Sequence, residues 1–271
     1  MPRSMWRGAI SFGMVAIPVR LYLATESKSP SFRLLCPNDR APIRNKRWCT
    51  VEDREIGWND ALRGYEVGKD EYVVIEDNDL DELPLHTTHT IDIVEFCPDE
   101  EIEAGLYMKS AYYLEPEAVG GRPYNLLRAA LDKTGKVAIG KIALRDREHL
   151  CRLALHDSGL LLNTLYWPDE IRSTKELSIP EDGEVPKREL DMAVMLVENL
   201  SAHFDPQRHK DEYREALLKV VEAKMANQPV ERLAAPEPAK VTDLMAALKA
   251  SVEAAQAGKK AAEPVRRRKA S

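Results

Sequence analysis

The stretch from Lys133 to Trp167 constrains the fold more than any other. It reads KTGKVAIGKIALRDREHLCRLALHDSGLLLNTLYW. Apolar residues crowd three short runs, parted by Asp146-Arg147-Glu148 and Asp157-Ser158-Gly159. Short apolar runs punctuated by polar turn residues make antiparallel strands. The expected strands are 136–145, 149–155 and 160–166. In the first, Val137 and Ile139 share one face while Ile142 and Leu144 share the other, so the alternation slips at Gly140-Lys141. A slip beside a glycine predicts a bulge or bend, as at a barrel corner. Lys136, Lys141 and Arg145, with Lys133 just before them, give this sheet a basic edge suited to anions. The plain alternative is a core strand with solvated lysines.

The chain before this stretch carries further short strands. Residues 9–23 read as two strands split at Ile17-Pro18, because proline cannot donate to a ladder. Residues 30–64 hold turn residues and scattered arginines, with too few apolar positions for a core, and so read as an extended arm. Strands are expected at 72–75, 90–96 and 107–114. A helix is expected from Pro123, with Tyr124, Leu127 and Leu131 on one stripe and Gly135 stopping it. Many short strands with few helices predict a barrel-like β domain.

From Pro186 the pattern changes. Leu190, Val194, Val197, Ser201 and Phe204 recur at helical spacing. Asp205-Pro206 breaks the run, and a second helix is expected over 210–226 with Tyr213, Leu217, Val220 and Val221 on its apolar side. Stripes this wide are expected to pack on a second copy of the chain rather than on the chain's own barrel. A Pro/Ala-rich linker follows at 228–240. Thr242 then caps a short helix, within 241–257, containing Leu244, Met245, Leu248 and Val252. A helix so short folds on a partner. The tail, 258–271, is basic and expected to be disordered.

Charge is segregated along the chain. The net charge is −6, which by itself disfavours a polyanionic partner. Residues 1–64 nevertheless hold eleven Lys or Arg against six Asp or Glu, whereas residues 65–105 hold one against fourteen. The local field decides whether phosphate is attracted. The N-terminus lacks a signal-peptide core and no run is long enough to span a bilayer, so the reading is cytoplasmic. Four irregularly spaced cysteines fit reduced thiols.

Catalytic and metal signatures are missing. Cys36 and Cys49 lack a CxxC or a histidine pair, so no metal is expected. There is no phosphate-binding glycine loop, GxSxG or HExxH, and no cofactor is expected. The chain reads as a binder rather than an enzyme. The rival is a DNA-processing enzyme, an abasic-site lyase acting through a lysine.

Several segments together resemble the prokaryotic Ku family of DNA-end-binding proteins. They are Trp6–Gly13, Ile17–Tyr22, Arg63-Gly64-Tyr65-Glu66, Tyr112–Pro116, Gly135–Lys141, Arg147–Leu150 and Asp169–Arg172. Phe204-Asp205-Pro206 with Asp211-Glu212-Tyr213, and Asp243–Ser251, continue the series. Arg63 stands where the family motif has lysine. The resemblance implies a mostly β protein with C-terminal helices, an α+β fold. A Ku-core β-barrel would span 1–185, with a DNA-encircling arm at about 31–64. A helical dimerisation arm would span 186–227. It implies a homodimeric ring around double-stranded DNA ends that recruits a multifunctional ATP-dependent DNA ligase for non-homologous end joining, with no membrane partner. Candidate DNA contacts are Arg20, Arg33, Arg44, Lys46 and Arg47 early in the chain, then Lys133, Lys136, Lys141 and Arg145. Candidate dimer contacts are Leu190, Val194, Val197, Phe204, Tyr213 and Leu217. Leu244, Met245 and Leu248 are the candidate ligase contacts.

Overall fold

The computed structural model describes residues 3–83, 89–144, 147–180, 183, 185–229 and 244–262. They form two compact units, Met1–Thr174 and Lys175–Ser271. The first is built on strands β1 (Trp6–Phe12) and β2 (Val15–Leu23), joined at Gly13, whose φ of 59° glycine adopts without a steric cost. Two separate hairpins follow: β3 (Arg47–Cys49) with β4 (Arg54–Ile56), and β5 (Arg63–Gly68) with β6 (Glu71–Ile75). Then come α1 (Asp77–Asp81), β7 (Thr90–Pro98), α2 (Ala104–Tyr107), β8 (Met108–Pro116) and α3 (Gly121–Thr134). The organising meander is β9 (Lys136–Leu144), β10 (Arg147–His156) and β11 (Gly159–Leu165).

Seven strands close into a barrel in the order β1-β2-β8-β11-β10-β9-β7. Every neighbouring pair is antiparallel except β1 with β7, whose parallel pairing closes the ring. The interior is filled by Ile10, Ile17, Val19, Leu21, Ile91, Tyr112, Leu114, Ile142, Leu153, Leu160 and Leu162. Each side chain of this size, fully buried, is worth roughly 1.5–3 kcal/mol of removed apolar surface. The domain is therefore an α+β fold with a complete core of its own. Among the described residues, no helix is long and apolar enough to cross a membrane.

Two local expectations are corrected. β9 pairs with β10 without a slip; the extra residue is Val94 on β7, between Ile93 (opposite Gly140) and Glu95 (opposite Ile139). Gly140 is required there because a Cβ would sit 2.5 Å from the Asp92 carbonyl oxygen. The apparent change of face in the sequence arises because both sides of β9 are covered: Ala138, Ile142 and Leu144 inside, Val137 and Ala143 outside. Pro18 does not split β2 either. It lies within the strand opposite Ala9, and the break falls at Gly13-Met14.

α3 plugs one barrel end with Tyr124, Leu127 and Leu131. Gly135, at φ 63°, ends it by donating its N–H to the Leu131 carbonyl. The Tyr124 hydroxyl donates to the Leu114 carbonyl (2.8 Å) and accepts from the Leu160 N–H (2.9 Å), tying β8 to β11. On the outer wall, the Arg152 guanidinium is buried and donates to both Asp99 carboxylate oxygens and to Asn163. This seats the turn after β7 on the barrel.

The second unit holds α4 (Lys187–Leu200), α5 (Glu212–Met225) and α6 (Leu244–Ala262). α4 ends at Leu200, so Phe204 lies beyond it, its ring stacked 5.9 Å from His209. Asp211 caps α5 by accepting from the Arg214 N–H.

Removing the hydroxyl in Tyr124→Phe strands a buried N–H and a buried carbonyl. The expected cost is about 1–3 kcal/mol, read as a lower urea midpoint at unchanged slope. An unchanged midpoint would mean that α3 is not tied to the barrel in this way.

Candidate nucleic-acid interface

The arm is rooted on both sides of one strand. β2 and β7 flank β1, and the chain leaves the barrel at Leu23 and re-enters at Thr90. The pairings Trp6–Leu21 and Ala9–Thr90 put both roots at the end of the barrel where β1 begins. The roots are two strand spacings apart, roughly 10 Å. Between them, none of the described residues 24–75 is buried. This excursion cannot stabilise itself by burial. Its order comes from hairpins and short polar turns, such as Asp39, which accepts from the Ala41 N–H and whose carboxyl is held below its usual range by that bond first.

The arm's cations differ in how they are held. Lys46 pairs with Glu55 at 2.5 Å, Arg54 with Glu52, and Arg63 with Asp77 at 2.9 Å. The Arg47 guanidinium lies 3.3 Å over the exposed Trp58 ring, a cation–π contact that orients it without neutralising it. Among the described residues, no ion pair engages Arg33, Arg40 or Arg44. These three, with Arg47, present full positive charge to solvent.

The same barrel end carries a second basic group. Lys109, at the start of β8, lies 4.6 Å from the Tyr166 ring; Lys141, on β9, lies 5.8 Å from the Trp167 ring and 3.1 Å from Glu148. β8, β11, β10 and β9 are consecutive in the barrel, so the Tyr166-Trp167 segment joins two lysines across the outer wall. A small mouth of about 130 Å³ opens beside them, lined by Lys109, Ser110, His149 and Thr164. Burial, and then the charge of Lys109, push the His149 imidazole below its ordinary pKa.

The chain matches the family model described as the Ku70/Ku80 beta-barrel domain over residues 11–192. The chain belongs to the Ku family. Curated Ku relatives include one from Frankia casuarinae, 43% identical over 95% of this chain and 65% of its own length. Another, from Symbiobacterium thermophilum, is 42% identical over 94% of this chain and 64% of its own length. A third, from Bacillus subtilis, is 36% identical over 92% of this chain and 81% of its own length. Each bears the name non-homologous end joining protein Ku. The chain thus spans about two thirds of the length of the first two.

Within this Ku barrel, the basic residues marked from sequence do not share one face. Lys136 and Lys141 are five positions apart on β9 and so point to opposite sides. Lys133 and Lys136 sit at the α3 end, away from the arm roots, and Lys136 lines an apolar groove of about 510 Å³ with Phe12, Phe96, Leu126 and Ala130. Arg20 projects from β2 on another side and shares Glu117 (3.3 Å) with Arg7 (2.5 Å). Those bonds, Arg7's first, hold the Glu117 carboxyl below its usual range. Arg33, Arg44, Lys46 and Arg47 all lie on the arm. Arg145 lies outside the described residues.

The candidate contacts drawn from sequence left out Lys109, Tyr166 and Trp167, and counted Arg40 among the arm's basic residues without choosing it as a contact. The readable signal was basic residues interleaved with aromatics at strand ends. Among the described residues, no group of three or more His, Cys, Asp or Glu side chains is placed to hold a metal.

The thiols differ by burial. Cys36 and Cys49 are accessible, burial raises Cys97, and desolvation pushes Cys151, inside the barrel, up to about 12. A thiol reagent at neutral pH should modify Cys36 and Cys49 first and Cys151 only after unfolding. Native-state labelling of Cys151 would contradict a closed barrel.

Proposed function

We propose that the chain binds broken ends of double-stranded DNA without reading sequence, as a ring-shaped homodimer, and recruits an ATP-dependent DNA ligase for end joining. The relatives' name supports the end-joining part. The observation that carries the rest is the arm: a cation-bearing excursion with no buried residue among those described, rooted on both sides of β1. Such a segment has no core of its own to serve and offers its length to a partner's surface. Duplex DNA supplies phosphates on every side, and phosphate contacts position a protein without specifying bases.

The same reading assigns the second unit. Leu190 is 50% exposed, Val194 47%, Phe204 82% and Tyr213 76%, while Leu217 is partly covered. Val197 is exposed on the same stripe as Leu190 and Val194. Apolar surface of this extent calls for a partner, and a second copy offers the same patch reciprocally about a two-fold axis. Met245 and Leu248 on α6 are assigned to the ligase, as is Leu244, whose side chain lies outside the described set. The chain acts here as a binder rather than as an enzyme.

Log affinity should fall with log salt at a slope near −0.9 per neutralised phosphate. Arg44→Glu with Arg47→Glu should weaken duplex binding at moderate salt by roughly tenfold or more and flatten that slope by about one per lost contact, with the mass in solution unchanged. Unaltered gel-shift affinity would refute the arm contact. Leu190→Asp with Val194→Asp should yield monomers by sedimentation; a retained dimer would place the interface elsewhere. Met245→Asp with Leu248→Asp should abolish ligase stimulation and spare DNA binding, and surviving stimulation would show that α6 is not the ligase contact.

A further inference from the structure

α4 carries two adjoining apolar stripes. Leu190, Val194 and Val197 form the open stripe. Met192, Ala193 and Leu196 form a second, and these are partly covered. At about 100° per residue the two stripes are centred about 120° apart and adjoin at Ala193 and Val197. The covering element within this unit is α6, which packs on α4. α6 contributes Met245 and Leu248, both partly covered, and Val252, which is 6% exposed. Among the described residues, Val252 is the one buried side chain of the second unit. The small core of this unit is therefore the α4–α6 contact.

That contact engages the side chains assigned to the ligase. Met245, Leu248 and Val252 follow at spacings of three and four and so lie on one helix face. One face cannot serve α4 and another protein at the same time.

We infer that the α6 face has two alternative seats, the Met192–Ala193–Leu196 stripe of its own α4 and an apolar groove on the ligase, so that partner binding requires α6 to leave α4. This rests on the reading of α6 as the ligase contact. The docked seat lowers the apparent affinity for the partner by the fraction of time that α6 is free. It also ties the exchange to the dimer, because the adjoining stripe of α4 is the one assigned to the second copy. The partner exposes Met192 and Leu196 when it takes α6, and α4 must then tolerate or re-cover them.

The test uses the full chain and its ligase. Leu196→Ser weakens the α4 seat and leaves both α6 and the open stripe of α4 intact. It should tighten ligase binding, by up to about tenfold if α6 is docked nine-tenths of the time. In the wild-type chain, amide exchange across Met192–Leu196 should speed up when ligase is added. Ligase affinity no tighter in Leu196→Ser, or α4 protection unchanged on ligase binding, overturns the inference. The Met245→Asp, Leu248→Asp chain separates the two ideas. If it still stimulates the ligase, the reading of α6 as the contact fails. If it is inactive while Leu196→Ser binds no more tightly, only the two-seat inference fails.

Discussion

The parallel pairing of β1 with β7 is the constraint from which the rest of the first unit follows. It joins the earliest strand to one that begins some eighty residues later, and it leaves the barrel without an edge. Because β2 lies on the other side of β1, everything between β2 and β7 is forced out of the barrel from a base roughly 10 Å wide. The extra residue at Val94 and the missing side chain at Gly140 let β7 follow the curve that this closure needs. An arm held at two neighbouring points can swing little at its root while its tip adapts to a surface.

Electrostatics divide the arm itself. Of the fourteen acids in residues 65–105, eight lie on the arm from Glu66 to Glu82, after the stretch that carries Arg33, Arg40, Arg44 and Arg47. Cations on the barrel wall are largely paired: Arg7 and Arg20 with Glu117, Lys141 with Glu148, Arg152 with Asp99. Exposed pairs of this kind add little stability, but they remove free charge from faces where it would attract phosphate. Arg33, Arg40, Arg44 and Arg47 keep theirs. On the proposed reading, free charge on the arm and a rigid barrel behind it suit a grip that ignores sequence.

Much of this was legible in the chain itself. The three strands of the meander, α3 with its glycine stop, and the two C-terminal helices follow from spacing and turn residues, which act locally. The parallel closure was not legible, since nothing local to Trp6–Phe12 or Thr90–Pro98 names its partner. Gly140 was read in the right strand, but the extra residue was expected beside it rather than on β7, because a burial pattern on two faces mimics a slip. Pro18 was over-read, since a proline opposite Ala9 can sit in the strand where Gly13 makes the real turn. The basic set from sequence was partly dispersed. Alternation sends Lys136 and Lys141 to opposite sides, and charge counting cannot see that Glu117 holds Arg20. The second stripe of α4 was hidden by the stronger first one.

The central claim is that two arms and two barrels pass around the duplex, so that DNA enters only by an end. Binding to a linear duplex should be compared with binding to a covalently closed circle of the same sequence, at one salt concentration, with the protein's mass measured alongside. The account predicts a dimer that holds the linear form at least tenfold more tightly, and that stays on it when the ends are sealed after loading. Equal affinity for the closed circle, or release on sealing, would contradict encirclement.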